Sequence, residues 1–277
     1  MHFVIDADSI AYRAAASAEG RKYILYFHDQ ILEFKYKKEV DEYIELNRMH
    51  GTATIEFIRD PEPVGNAIHN LKALCDKILE HPKCSSVEFH LSGSLSFRKY
   101  VATSRVYKGN RDPNDKPHHL EACRSYLVSN YGATVHDWIE ADDAVSIAAI
   151  QTPSSYETVI VSIDKDLNNT PGWHYNWLSY NMYHVTEIDA YRNFYKQLLT
   201  GDTTDNIGGI SGIGPVTANK ILAPLTTHDE MLRAVREEYL AEYGPGYETF
   251  LTENGRLLWM MRHMNDVWSP IWKDHVE

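Results

Sequence analysis

Short β-branched apolar runs alternate with segments of helical period from the start of the chain as far as Leu178. Phe3-Val4-Ile5, running into Asp6, reads as a buried parallel strand, and a helix near Ser9 to Ser17 follows it. Tyr23 to Phe34 reads as a hairpin with His28-Asp29-Gln30 at its turn. The spacing then predicts a helix near Lys38 to Arg48, a strand near Thr52 to Phe57, a helix from Val64 to Leu79 and a strand from Val87 to Leu91. Residues 93–118 are rich in Ser, Arg, Lys, Asn and Pro and have no clean period, which predicts a mobile arch beside a site. A helix from about Leu120 to Asn130 returns the chain to the core. Ala144, Val145, Ile147 and Ala148 mark a mostly buried helix, and Val159 to Ile163 another strand. Beyond Glu187 the pattern is helical, with one strong break at Gly244-Pro245-Gly246. The expected fold is α/β: a mostly parallel central sheet covered by helices over residues 1–186, then a helical region over 187–277.

Composition narrows the class. With 277 residues and 43% hydrophobic content the chain can bury a large core, in one domain or two tightly joined ones. Met1 leads straight into a strand and no apolar run approaches about 18 residues. We therefore expect a cytoplasmic protein without signal peptide or membrane partner. Cys75, Cys84 and Cys123 are an odd, widely spaced set, so reduced thiols are expected. His118-His119 is not expected to bind metal, because adjacent helical residues point apart.

The chemistry lies in acids at element ends. Asp6 closes a strand, Glu140, Asp142 and Asp143 open a helix where its dipole tolerates negative charge, and Asp164 and Asp166 close another strand. Asp202 and Asp205 precede a glycine-rich stretch, Gly208-Gly209-Ile210-Ser211-Gly212-Ile213-Gly214-Pro215, that runs into Val216-Thr217-Ala218-Asn219-Lys220. One such acidic motif is ordinarily a solvated surface feature, but four in one chain point to a shared site. Two carboxylates about 4 Å apart repel by roughly 4 kcal/mol at an effective dielectric near 20, so converging acids need cations. Oxygen ligands select hard ions, and eight acids suggest two Mg²⁺ or Mn²⁺ ions, some held through water. Two such ions suit in-line hydrolysis of a phosphodiester. In the glycine-rich stretch, backbone amides and a helix opened by Pro215 offer a phosphate site without base readout. Interleaved aromatics and cations at Phe97-Arg98-Lys99-Tyr100 and Arg105-Val106-Tyr107-Lys108 suit a single strand. The net charge of −12 describes the far field and is offset at the site once metals bind.

Nearly the whole chain resembles the 5′-nuclease superfamily, the flap endonucleases and 5′-3′ exonucleases with a PIN-like fold. Val4-Ile5-Asp6, Tyr107-Lys108-Gly109-Asn110-Arg111, Glu140-Ala141-Asp142-Asp143, Ser162-Ile163-Asp164-Lys165-Asp166 and Gly201-Asp202 through Pro215 stand in that family's order and approximate spacing. In its compact length and in the segment Asp164 to Trp177 the chain looks most similar to the bacteriophage 5′-3′ exonucleases. The resemblance implies that Asp6, Glu140, Asp142, Asp143, Asp164 and Asp166 bind metal directly or through water, that Asp202 and Asp205 complete the acids, and that Lys108 and Arg111 meet the scissile phosphate. Beside DNA contacts expected at Arg13 on the first helix and at Arg98 and Tyr107 in the aromatic and cationic segments, it implies DNA contacts at Gly208, Gly212, Ile213, Gly214, Thr217 and Lys220, the hairpin from Gly208 resembling a helix-hairpin-helix (H3TH) element that also holds K⁺. The implied activity is 5′-3′ exonuclease and flap endonuclease on DNA 5′ ends or flaps, with RNA primers as further substrates, in phage replication or recombination, by a monomer in the host cytoplasm. Competing readings are a non-catalytic DNA-binding relative and a PIN-type ribonuclease. One departure stands out: relatives carry Asp near the end of the strand before Phe97, where this chain has Ser92. Asp8, on the same strand face as Asp6, either supplies that charge or caps the next helix.

Overall fold

The computed structural model describes residues 1–49, 51, 53–112, 115–153 and 157–270. Thr52 of one expected strand, residues 113 and 114 of the expected arch, and 271–277 of the expected helical region lie outside them. The chain divides into two compact units, one of residues 1–9, 77–115 and 127–277, the other of 10–76 and 116–126. That division does not follow the expected boundary at 186, since the C-terminal helices share a unit with the main sheet.

Among the described residues the elements begin β1 (His2–Asp6), α1 (Ala7–Ala16), β2 (Glu19–Phe27), β3 (Gln30–Phe34), α2 (Lys37–Asn47), β4 (Thr54–Pro61) and α3 (Val64–Leu79). Then come β5 (Ser86–Ser96), α4 (Arg98–Val101), α5 (Leu120–Tyr131), β6 (Thr134–Trp138), α6 (Ala141–Gln151) and β7 (Thr158–Val161). A 3-10 turn (Lys165–Asn169), β8 (Gly172–Asn176), β9 (Asn181–Val185), α7 (Glu187–Thr200), β10 (Gly201–Asp202), β11 (Ile207–Gly208), α8 (Pro215–Leu222), α9 (His228–Tyr243) and α10 (Tyr247–Leu258) complete them.

In the first unit a six-stranded sheet runs β6-β5-β1-β7-β8-β9. It is parallel from β6 to β8, and β9 returns antiparallel. The apolar run at 3–5 is explained by the central place of β1: Phe3, Val4 and Ile5 are fully buried, each side chain contributing about 1.5–3 kcal/mol. From α6, Val145 packs with Val4, Ile160 and Leu167. Because the strands are parallel, Asp6, the last residues of β5 and β7 and the start of α6 meet at one sheet edge, where open α/β sheets place their sites. A second core joins Phe194, Tyr195 and Leu198 of α7 to Met231 and Val235 of α9, Leu251 of α10, and Trp259. As expected, Gly244 and Gly246 break the helices, with φ of +66° and +98°.

Three expectations change. The strand near 54–57 does not join the parallel sheet: β4 pairs antiparallel with β2, giving a separate sheet β3-β2-β4 in the second unit. Its residues are half-buried at most, unlike β1. Residues 93–112 are not a loose arch. β5 continues to Ser96, Phe97 and Tyr107 are buried, and Glu253 accepts the N–H and hydroxyl groups of both Thr103 and Ser104. His118 and His119 precede α5, and their rings meet edge to face at 4.8 Å. The three cysteines are free thiols. Among the described residues no helix is long and apolar enough to cross a membrane.

Candidate active site

At the C-terminal sheet edge a cleft of about 100 Å³ is lined by six acids, Glu140, Asp142, Asp164, Asp166, Asp202 and Asp205, together with Lys108 and Arg111. Asp6 lies beneath them. Its Oδ1 accepts the N–H of Asp8 at 3.1 Å and Oδ2 the hydroxyl of Ser162 at 2.8 Å, so Asp6 rather than Asp8 caps α1. Asp8 instead accepts the N–H of Ser92 at 2.9 Å, and the Ser92 hydroxyl accepts the N–H of Ala141 at 2.9 Å. The Ser92 side chain thus docks the start of α6 onto β5.

Asp164 and Asp202 are oriented by their own turns, and Asp166 by a side chain of α7. Asp164 accepts the N–H of Asp166 at 2.9 Å at the head of the 3-10 turn. Asp166 accepts Gln197 Nε2 at 2.6 Å, and Asp202 accepts the N–H of Thr204 at 2.7 Å. Ser162 and Gln197 were not anticipated. Gln197 had a signal, being a polar interruption on the apolar face of α7 between Phe194 and Leu198.

Crowding shows in the carboxyl pKa values. Burial and the nearby Asp8 raise Asp6 to about 6; burial with Asp164 and Asp202 raises Asp166 to about 7. Asp142 is pushed well above the carboxylate range by burial and by Asp6, Asp164 and Glu140. Glu140 goes the other way: burial works to raise it, but Arg98 and Lys108 outweigh this and hold it at about 2.

The cationic wall is preorganised. Lys108 has φ +56°, its N–H donating to the Asp205 carbonyl at 2.9 Å and Nζ to Glu140 at 2.9 Å. Arg111 donates to Asp205 at 2.6 Å. Tyr107 does not present a ring for DNA: it is buried, and its hydroxyl bridges Glu140 at 3.0 Å and Asp205 at 2.8 Å.

Two further expectations are corrected. Arg98 is 1% exposed and cannot meet DNA, because its guanidinium grips Asp143 through two hydrogen bonds of 2.5 and 2.9 Å and donates to the Leu257 and Trp259 carbonyls. Asp143, expected among the metal ligands, is fully buried and also accepts the N–H of Met261 at 3.2 Å and of Glu140 at 3.3 Å. Its oxygens are occupied by the fold, and it is absent from the cleft lining.

Away from the cleft, Gly212, Gly214, Thr217 and Lys220 are exposed around the start of α8, with Pro215 in its first turn. Gly212 alone among the expected hairpin glycines has positive φ, +76°. Ile213 anchors the loop against the C-terminal core. Gly208 pairs with Gly201 in the β10–β11 ladder and gives its carbonyl to Asn254 at 2.9 Å. Arg13 is exposed on α1 within the second unit.

No protein-family model matches the chain. Flap endonuclease Xni of Shewanella baltica is 28% identical over 178 residues, 60% of this chain and 67% of that protein. DNA polymerase I of Bacillus caldotenax is 29% identical over 195 residues, 62% of this chain and 21% of that much longer protein. Among solved structures, the T5 5′-exonuclease with zinc ions bound aligns with a TM-score of 0.55 at 13% identity, covering 93% of this chain and 89% of that one. The bacteriophage T5 flap endonuclease in a pseudo-enzyme–product complex with DNA and metal ions aligns with a TM-score of 0.56, also at 13% identity, covering 93% and 88%. These sequence relatives and this shared α/β fold support the resemblance of the chain to the 5′-nuclease superfamily.

Proposed function

We propose that this chain is a divalent-metal-dependent 5′-3′ exonuclease and flap endonuclease that hydrolyses phosphodiester bonds near DNA 5′ ends. The carrying observation is the single cleft that sets six carboxylates against Lys108 and Arg111. The donor set fits hard cations: the lining acids are all oxygen donors, and burial together with neighbouring acids, Asp164 foremost among those they share, raises the proton affinity of Asp6, Asp142 and Asp166. Among the described residues no three His, Cys, Asp or Glu side chains form a ready-made ligand cage. We therefore assign Mg²⁺ or Mn²⁺, two ions, to Asp6, Glu140, Asp142, Asp164, Asp166, Asp202 and Asp205, with some acids acting through water. When bound, such ions supply an activated water and charge compensation at the leaving oxygen.

The residues of the chain do the rest. Lys108 and Arg111 stand where they can trade Glu140 and Asp205 for the scissile phosphate and stabilise the charge it develops. Asp205 holds both cations in place before substrate arrives. The exposed amides and Lys220 around the start of α8 act as the H3TH element, gripping duplex phosphates without reading bases, with K⁺ held by loop carbonyls. RNA primers in duplex, a monomeric state and a role in phage replication or recombination complete the reading, although the sequence relatives named above are bacterial. Incubating 5′-labelled duplex, flap, single-stranded DNA and RNA with Mg²⁺ or EDTA tests it. Mg²⁺-dependent release of short 5′ products from duplex or flapped DNA is expected. Binding without cleavage would favour a non-catalytic relative, and cleavage of RNA alone a ribonuclease.

A further inference from the structure

Two large aromatic rings stand outward next to the elements that wall the cleft. Tyr100 is 67% and Trp138 51% exposed, with ring centroids 5.3 Å apart and planes inclined by 33°. Trp138 also has φ +80°, a left-handed conformation that bulky residues rarely adopt. The surrounding structure imposes it. Trp138 pairs with Ser96 across β5 and β6, its carbonyl accepts the Phe97 N–H at 2.9 Å, and the next residue, Ile139, is buried with Phe97. That packing accounts for the backbone but not for the choice of an exposed indole where Gly or Asn would adopt the same φ at lower cost. Such over-determined outliers cluster at functional sites.

The location supplies the function. Arg98 lines the cleft from α4, and Glu140, two residues beyond Trp138, lines it from the start of α6. Tyr100 follows Arg98 by two residues, roughly 200° around a helix of 3.6 residues per turn, which turns it to the far, solvent side of α4. A helix with its side chains is about 10–12 Å across. A strand leaving the cleft over α4 therefore reaches the rings within a few nucleotides. Lys99 is exposed on the same short helix and adds a cation for the backbone.

We propose that Tyr100 and Trp138 form a stacking platform for an unpaired base in the single-stranded 5′ arm of the substrate, within a few nucleotides of the scissile phosphate. The inference rests on the nuclease reading of the cleft. Every base offers a π-face, so the platform favours an unpaired arm without selecting its sequence.

A duplex carrying a 5′ arm with 2-aminopurine at the third unpaired position, bound in EDTA, tests this. The parent protein should quench the fluorophore and bind the armed duplex more tightly than an arm-less one. Trp138→Gly, which accepts φ +80° without steric cost, and Tyr100→Ala should each lose the quenching and weaken armed-duplex binding roughly tenfold, the order of one lost base–aromatic stack. Trp138→Phe should retain most of it, and arm-less duplex should be cleaved in Mg²⁺ at the parental rate by all three variants. Unchanged quenching and affinity in both truncations, or an equal loss on arm-less duplex, would overturn the platform. Failure of the parent to cleave any substrate in Mg²⁺ would sink the nuclease reading instead, leaving the platform to be judged by the fluorescence alone.

Discussion

Asp142 and Asp143 are neighbours in the first turn of α6, yet they sit in opposite electrostatic regions. Asp143 faces inward, where Arg98 and two backbone N–H groups occupy its oxygens. Asp142 faces the cleft, where its charged neighbours are mostly other acids and its proton affinity rises. A buried charge fully paired by the protein is scaffold. A charge left among like charges is the one that awaits a ligand.

Removing one partner on the scaffold side is expected to have the largest effect. Arg98→Ala leaves Asp143 buried and unpaired, and should cost about 3–5 kcal/mol of stability in denaturant titration. Replacing both partners with apolar residues should recover much of that loss, and a double variant as unstable as Arg98→Ala would break the distinction. On the cleft side, Asp142→Asn should leave the melting temperature unchanged or raised while cleavage falls roughly hundredfold or more, with DNA binding intact. Near-parental turnover at saturating Mg²⁺ would remove Asp142 from the machinery. Lys108→Ala should lower kcat by roughly tenfold or more with little change in affinity, as for a contact that strengthens in the transition state. Single-turnover rates equal to the parent's would make Lys108 a substrate-positioning residue only.

Smaller effects sharpen the contrast. Asp6 and Asp166, near 6 and 7 in the folded protein, bind protons more tightly folded than unfolded, where carboxyls titrate near about 4. Their stabilising contribution is therefore present below about pH 4 and is lost as pH rises through 6 and 7. Glu140, at about 2, has the opposite sign, its contribution being lost as pH falls below about 4.5. In EDTA the melting temperature should thus fall between about pH 5 and 8, and a flat profile would contradict the carboxylate crowding. Gly212→Val with Gly214→Val should weaken duplex binding irrespective of sequence and spare cleavage of a short single strand. Equal losses on both substrates would make the loop structural.

Much of this site was legible because its acids stand at the ends of β-branched runs and the starts of helices. The strand ahead of Asp6, the helix after Glu140 and the glycine-rich approach to Pro215 are local patterns. What divides Asp142 from Asp143 is not local: one residue is about 100° of helix rotation, and the partner that captures Asp143 lies 45 positions away. For the same reason Arg98 and Tyr107, read as DNA contacts, are buried supports of the cleft. Strand membership was hidden too. β4 reads as a strand but pairs with the hairpin, and β6 is a mostly exposed edge of five residues whose pattern resembles loop.

The most direct measurement is the thermal stability of the metal-free protein as Mg²⁺ is titrated in, for the parent, Asp142→Asn and Asp166→Asn. If the open acids await a cation, Mg²⁺ raises the parent's melting temperature by binding the folded state and raises that of either variant less. A parent whose melting temperature does not respond to Mg²⁺, or variants that respond as strongly as the parent, would contradict a metal site in this cleft.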